Sequence, residues 1–122
     1  MAPKKILIVD DEPDILKVVS FRLKKMGYNI FLAINGKEGL DLARKERPDL
    51  ILLDLRLPVM DGYEVCRRLK ADKELKHIPI ILLTASNITE IREKLMQFKA
   101  EDYIIKPFEP QELLKKVKKF IG

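Results

Sequence analysis

Residues 5–13 read KILIVDDEP, an apolar run that ends in three acidic residues and a proline. A short run that is apolar at almost every position is typical of a strand buried on both faces, as in a parallel sheet. Asp10 and Asp11 suit the N-cap of a following helix, and Pro13 is tolerated in a first helical turn. The segment therefore predicts a strand followed by a helix with capping carboxylates.

The same alternation occurs five times along the chain. Apolar runs predict four further strands at about residues 29–33, 50–53, 80–83 and 103–105. Helical periodicity predicts helices at about residues 13–26, 36–45, 63–71, 89–98 and 110–121. Alternating strands and helices predict an α/β fold, a single doubly wound (βα)5 parallel sheet with helices on both faces. A chain of 122 residues is expected to form one domain, residues 1–122.

Polar side chains follow four of the predicted strands. Asp10 and Asp11 follow the first strand, Asp54 the third, Thr84 the fourth and Lys106 the fifth. In doubly wound sheets the functional site lies outside the carboxyl ends of the strands, where the strand order reverses. We therefore expect these five residues to form one site.

Three carboxylates close together repel one another, so one should take up a proton or a cation should join them. Hard oxygen ligands favour magnesium or manganese over zinc. Lys106 could neutralise phosphate charge, and the Thr84 hydroxyl could donate to a phosphate oxygen. The set predicts a phosphoryl site in which the Asp54 carboxylate could itself be the nucleophile and form an acyl phosphate.

Four motifs carry a resemblance to a known family: VDDE at residues 9–12, LDLRLPVMDG at 53–62, LTA at 83–85 and DYIIKPF at 102–108. With these motifs in this order and spacing, the chain resembles the response-regulator receiver domain of two-component signalling over essentially its full length. The resemblance implies a flavodoxin-like, five-stranded parallel sheet of order 2-1-3-4-5. It also implies a cis peptide bond before Pro107.

The resemblance further implies that Asp54 accepts a phosphoryl group from a sensor histidine kinase or a histidine phosphotransfer protein. Asp11, Asp54 and the backbone carbonyl of Arg56 would bind Mg2+ directly, with Mn2+ as a substitute. Asp10 would act on the metal mainly through water.

The resemblance assigns the remaining site residues as well. Lys106 would pair with the phosphoryl group and Thr84 would bond to it. Tyr103 would swing inward as Thr84 moves, which would change the surface that the fourth helix, fifth strand and fifth helix present to a target. The side chains of Arg56 and Ser86 would tune the lifetime of the phosphoryl group, and we expect Arg56 to shield it from water. Two residues keep simpler readings beside these: Lys106 as an ordinary ion pair and Tyr103 as core filling.

Other residues have structural interpretations. Asp61 is expected to cap a helix, Cys66 to fill the core and His77 to lie on the surface. Leu16 and Phe21 are expected outside the inward stripe of the first helix, near which the resemblance would dock the phosphodonor protein.

The net charge of +5 and the pI near 9.3 raise a nucleic-acid interpretation. The basic excess lies in lysine-rich helical segments such as residues 115–119, without interleaved aromatic residues. A solvated helical face is favoured, and no direct nucleic-acid binding is expected. The apolar runs are too short to span a membrane, and a lone cysteine agrees with a reducing compartment, so a cytoplasmic location is expected.

Two other functions compete with the signalling interpretation. A metal-dependent phosphohydrolase with an aspartyl nucleophile generally carries it on the first strand, in an Asp-x-Asp pattern, whereas Asp54 follows the third strand. A nucleotide-binding module would need a glycine-rich loop after the first strand, which is absent from the sequence. The expected protein is not an enzyme beyond its own phosphorylation and dephosphorylation. It could be a stand-alone regulator or the receiver of a longer one, and a monomer or a phosphorylation-dependent dimer.

Overall fold

The computed structural model of the chain describes residues 2–85 and 87–122. Within them lie five strands: β1 (Lys5–Val9), β2 (Asn29–Ala33), β3 (Leu50–Asp54), β4 (Ile80–Thr84) and β5 (Asp102–Ile105). The strands alternate with five helices: α1 (Pro13–Lys25), α2 (Gly36–Glu46), α3 (Gly62–Ala71), α4 (Ile88–Phe98) and α5 (Pro110–Ile121). Ser86, expected to tune the site, falls outside the described residues. None of the described helices has both the length and the apolar character needed to cross a membrane.

The five strands form one parallel sheet of order β2-β1-β3-β4-β5, which confirms the expected fold. Strand order reverses between β1 and β3, whose registers pair Val9 with Leu53. The carboxyl ends of these two strands therefore open into one crevice, and Asp10 and Asp54 stand at its edge.

Two apolar cores lie on opposite faces of the sheet. Side chains of α2, α3 and α4 pack on one face around Val9, Leu53 and Leu82. Side chains of α1 and α5 pack on the other face around Ile8 and Leu52. Strands β1 and β3 are therefore covered on both sides, which explains why their sequences are apolar at nearly every position.

Three helices begin with a capping side chain. Asn35, Asp61 and Asn87 each accept a hydrogen bond from the backbone N–H three residues later, at 2.8, 2.9 and 2.9 Å. The expected cap at Asp61 is confirmed. The expectation that Asp10 or Asp11 caps α1 was wrong, because Glu12 is the N-cap residue and makes no side-chain cap bond.

One residue of α1 lies on the opposite side of the helix from the side that the sequence predicted. Leu16 is buried with Val19 and Leu23 in the core, so its expected place outside the inward stripe was wrong. The inward stripe of α1 is therefore broader than expected and includes Leu16. Phe21 is 57% exposed, as expected, and Val18 beside it is 49% exposed.

Helix α4 buries fewer side chains than α1. All eleven of its residues are described, and Ile91 is the only one of them that is fully buried. On its α3 side, the ring of Phe98 lies 5.0 Å from the ring of Tyr63, and the Cys66 thiol donates to the Phe98 carbonyl at 3.4 Å. Cys66 is buried, which confirms its expected place in the core.

Candidate functional site

The residues that follow β1, β3, β4 and β5 meet at one edge of the sheet. Asp10, Asp54 and Thr84 are buried, and the side chain of Lys106 is 11% exposed. All of them except Asp10 line a cavity of about 320 Å³. Its lining includes Asp11, Glu12, Asp54, Arg56, Thr84 and Lys106. The convergence of strand ends predicted from the sequence is therefore present, in a space large enough for a phosphoryl group with several waters.

Lys106 joins the carboxylates of this cluster. Its Nζ donates to Asp10 Oδ2 at 2.7 Å, to Glu12 Oε1 at 2.9 Å and to Asp54 Oδ2 at 3.0 Å. The sequence predicted that one carboxylate would take up a proton or that a cation, magnesium or manganese, would join them; in the structure the Lys106 ammonium bonds to all three. The interpretation of Lys106 as an ion-pair residue and its place at the site thus hold together.

Matching backbone turns orient the two buried aspartates. Asp10 Oδ1 accepts from the N–H of Glu12 at 2.9 Å, and Asp54 Oδ1 accepts from the N–H of Arg56 at 3.0 Å. Each carboxylate is thereby fixed through Oδ1 and presents Oδ2 to Lys106. This local bond also explains why Asp10 does not cap α1: its side chain is already occupied by the turn and by the lysine.

Burial and ion pairing have opposite effects on the pKa of each group in the cluster. The net result raises both the pKa of Asp10 and the pKa of Lys106. Burial raises the pKa of Asp10, hydrogen bonds from Lys106 and Glu12 lower it, and the nearby Asp54 carboxylate raises it again, so that the pKa of Asp10 lies above its ordinary value. Burial lowers the pKa of Lys106, but its bonds to Asp10, Glu12 and Asp54 outweigh this and raise the pKa above the ordinary lysine value. Lys106 is therefore a fixed positive charge in the site.

A close approach of the backbone holds the end of β3 in place. A Cβ atom added at Gly62, the first residue of α3, would lie 2.2 Å from the carbonyl oxygen of Asp54 and 2.6 Å from Leu55 Cα. The Gly62 N–H donates to the Leu55 carbonyl at 3.0 Å. Only glycine allows this contact, which fixes the backbone that carries Asp54.

The donor set fits a hard divalent cation. Carboxylate oxygens of Asp10, Glu12 and Asp54 lie within 4.8 Å of one another. Sequence reasoning missed Glu12, although its position two residues after Asp10 in the same turn was an available signal. Asp11 is exposed and lines the cavity, and it stands outside this group of three among the described residues. Oxygen ligands of this kind are those that magnesium prefers.

The other predicted site residues lie nearby. The Thr84 carbonyl accepts from the N–H of Lys106 at 2.7 Å, which joins the ends of β4 and β5. Arg56 is exposed at the cavity wall, and Tyr103 is half-buried against the core beneath α4. The Lys106–Pro107 peptide bond is cis, as the resemblance implied. His77 is exposed, as expected.

Comparisons with known proteins identify the family and several relatives of this chain. The family model described as the response regulator receiver domain matches residues 6–118. The DNA-binding dual master transcriptional regulator RpaA of Synechocystis sp. is 43% identical over 116 residues, which are 93% of this chain and 47% of that protein. This chain spans about half the length of the curated relatives it matches.

Solved structures give the same result. The chemotaxis protein CheY4 of Vibrio cholerae has a TM-score of 0.91 and 34% identity, with 98% of this chain and 99% of that chain covered. The receiver domain of the sensor histidine kinase PA1611 of Pseudomonas aeruginosa has a TM-score of 0.89 and 37% identity, with 99% of each chain covered, and that structure holds a magnesium ion coordinated in its active-site cleft. With the fold, the acidic cluster and these matches in agreement, the chain belongs to the response regulator receiver family, a family of signalling modules rather than classical enzymes.

Proposed function

We propose that this domain accepts a phosphoryl group on Asp54, supplied by a phosphohistidine of a sensor histidine kinase or a histidine phosphotransfer protein. One observation carries the proposal: the buried Asp54 carboxylate lies 3.0 Å from the Lys106 ammonium, beside two further carboxylates and a cavity of about 320 Å³. A nucleophile, a fixed positive charge and room for a phosphoryl group are thus present together.

The transfer forms one bond and breaks another. A carboxylate oxygen of Asp54 attacks phosphorus, and the P–N bond to the donor imidazole breaks. The electron pair of that bond leaves with the imidazole nitrogen, which then takes a proton from solvent. Asp54 Oδ1 is held by the Arg56 N–H, so the oxygen that now faces Lys106, Oδ2, is the proposed attacking atom. The Lys106 ammonium would move its hydrogen bond from the Asp54 carboxylate to a phosphoryl oxygen. The Thr84 hydroxyl would donate to a second phosphoryl oxygen.

The carboxylates at this edge would hold Mg2+, with Mn2+ as a substitute. We propose Asp10, Asp11, Asp54 and the backbone carbonyl of Arg56 as the residues that hold it, and the placement of Glu12 adds it to the candidates. When bound, the ion would offset the negative charge that gathers on the phosphoryl oxygens. The exposed side chain of Arg56 is proposed to cover the acyl phosphate and slow its hydrolysis.

We propose that the domain signals by changing the shape of the surface that it presents to a target. Thr84 would move toward the phosphoryl group, Tyr103 would turn inward behind it, and the surface of α4, β5 and α5 would change for a target protein or output domain. The DNA-binding activity in the name of RpaA belongs to a protein of about twice this length, so we propose no direct nucleic-acid contact by this domain. Light scattering with and without beryllofluoride, a phosphoryl mimic, would separate a constant monomer from a phosphorylation-dependent dimer.

Intact mass after incubation with acetyl phosphate and Mg2+ tests the phosphoryl chemistry. The parent should gain the mass of one phosphoryl group when Mg2+ is present and should gain none when EDTA replaces it. The Asp54→Asn variant should gain no phosphoryl group under either condition. Asp61→Asn is a matched control, because asparagine keeps the α3 cap and the parent's gain should persist. Equal modification of Asp54→Asn would refute the assigned nucleophile. Continued turnover of a generic phosphate ester would instead favour the phosphohydrolase function.

We further propose that the phosphodonor protein docks on α1. Val18 and Phe21 are exposed, and Val18 borders an apolar cavity of about 190 Å³ that Pro107 and Phe108 also line. Pro107 directly follows Lys106 in the chain, so this surface includes a neighbour of the site lysine, which supports its use by the molecule that delivers the phosphoryl group. Phe21→Ala should slow transfer from a phosphorylated donor protein and leave the rate with acetyl phosphate unchanged. Equal rates of transfer from the donor protein to the parent and to Phe21→Ala would refute this docking surface.

A further inference from the structure

Lys116 reaches around the free edge of the sheet. It belongs to α5, whose Leu113 and Val117 pack on the same face as α1, whereas Tyr103 packs on the opposite face. The Lys116 ammonium nevertheless lies 4.6 Å from the centre of the Tyr103 ring and donates to the Tyr103 carbonyl. Because β5 is the last strand of the sheet, the lysine side chain can pass its edge and contact a residue that faces the other core.

Its other contact fixes the ammonium in that place. Lys116 Nζ lies 3.1 Å from Asp102 Oδ1, and the lysine side chain is only 24% exposed. The Tyr103 carbonyl belongs to the strand backbone, and the Asp102 carboxylate is held by the backbone N–H of Tyr103, which donates to Asp102 Oδ1 at 2.8 Å. Neither partner depends on where the Tyr103 ring points. The ammonium is therefore held at the edge whether or not the ring is beside it.

We propose that Lys116 is a positioning residue that holds the Tyr103 ring at the sheet edge and so opposes its inward turn. This inference rests on the proposed function, in which that turn accompanies phosphorylation. A contact biases a two-state equilibrium only by the difference it makes between the states. The bonds of Lys116 to Asp102 and to the Tyr103 carbonyl are common to both ring positions, and the cation–π contact exists only with the ring at the edge. Lys116 thus favours the inactive arrangement through the ring alone.

The chain offers a matched control one turn away. Lys119 is on the same helix and carries the same charge, and its Nζ lies 3.9 Å from Asp102 Oδ2. Its ammonium lies over the ring of Phe120, at 5.5 Å, in place of the Tyr103 ring. Lys119→Gln therefore removes an equal charge near the same aspartate and leaves the proposed contact in place.

The test compares the beryllofluoride concentration at half-saturation, followed by the 19F signal of the bound mimic at fixed Mg2+. Lys116→Gln keeps a donor for the Tyr103 carbonyl and loses the charge over the ring. It should lower the half-saturation concentration about two- to fivefold, the range expected from one exposed cation–π contact. Lys116→Arg should match the parent, since arginine also stacks on aromatic rings, and Lys119→Gln should not lower the half-saturation concentration. Loss of a positive charge by itself would weaken anion binding, which is the opposite direction.

A second readout follows the ring in the absence of the mimic. The chain has three tyrosines, so 13C-tyrosine spectra can be assigned with Tyr103→Phe. Lys116→Gln should shift the Tyr103 ring signal, and Lys119→Gln should not. In a Tyr103→Leu background, Lys116→Gln should no longer change the half-saturation concentration.

Each outcome decides the inference. An unchanged or raised half-saturation in Lys116→Gln, with a parent that binds the mimic, would overturn the role of Lys116 and leave the proposed function intact. The same decrease in the Tyr103→Leu background would also overturn it, because the effect would not pass through the ring. A parent that does not bind beryllofluoride would overturn the proposed function and this inference together.

Discussion

Replacing Lys106 by methionine would leave the Asp10 and Asp54 carboxylates buried side by side without their shared cation. Their oxygens lie within 4.8 Å, and at an effective dielectric constant of 20 two charges at that distance repel by about 3.5 kcal/mol. The folded protein can avoid this repulsion by protonating one carboxyl. At pH 7 that costs about 4 kcal/mol for a group of ordinary pKa near 3.9. The free energy of unfolding should therefore fall by about 3.5 to 4 kcal/mol at pH 7, within the range for breaking buried ion pairs.

The loss should shrink as the pH falls. In the variant, burial and repulsion hold one carboxyl pKa above its unfolded value, so the folded state binds more protons and its stability decreases as pH rises. At pH 5 the protonation cost is about 1.5 kcal/mol, and the difference from the parent should shrink to about that value. Urea unfolding in EDTA at both pH values, followed by far-ultraviolet circular dichroism, measures it.

Lys118→Met controls for the loss of a lysine. Lys118 is exposed on α5, and its replacement should change the free energy of unfolding by less than about 0.5 kcal/mol. A Lys106→Met loss below about 1 kcal/mol at pH 7 would refute the reasoning, since the carboxylates would then not depend on the lysine. An equal loss at both pH values would attribute it to packing rather than to charge.

Three further predictions concern the metal, the buried thiol and the close backbone contact. Saturating Mg2+ should raise the Tm of the parent, because it binds the folded state, and Asp11→Asn should blunt that rise in a thermal melt; an unchanged parent Tm would count against the metal site. Burial raises the pKa of the Cys66 thiol to about 11, so at pH 8 its alkylation by iodoacetamide, followed by mass, should be about 100-fold slower than in urea, and similar rates would contradict its burial. Gly62→Ala should lower the free energy of unfolding by about 1 to 3 kcal/mol in urea titrations, because its Cβ would meet the Asp54 carbonyl, and parent-like stability would show that the loop yields freely.

Most of the fold could be predicted because β1, β3 and β4 are buried along almost their whole length. Such strands appear in the sequence as unbroken apolar runs. The predicted bounds of β3, β4 and the partly buried edge strand β5 differ from the structure by one residue at one end. Strand order could not be read from the runs themselves, because their apolar character does not say which neighbour each strand pairs with. That order came from the family resemblance and is confirmed.

The site could be predicted as a set of strand ends, but its internal bonding could not. Asp10, Asp54, Thr84 and Lys106 follow from the rule that parallel strands end at one edge. The bond between Lys106 and Glu12 joins residues 94 positions apart and depends on side-chain conformations that no local pattern encodes. The same applies to Asp10, whose carboxylate had a local choice between capping a helix and pairing with a distant lysine. In the structure this carboxylate pairs with the distant Lys106.

Ile91 is the one fully buried residue of α4, and Leu95 and Phe98 pack against the core only in part, so this side of the molecule should be the more compliant one. Burying one isoleucine contributes about 1.5 to 3 kcal/mol, the same order as one hydrogen bond to a charged group. Helix α1, in contrast, buries Leu16, Val19 and Leu23 and would need several such contacts to shift. A force applied at the carboxyl edge of the sheet, after which both helices begin, should therefore displace α4 and leave α1 as the fixed support. The proposed input surface on α1 and the proposed output surface at α4 would then occupy the same small domain without disturbing each other.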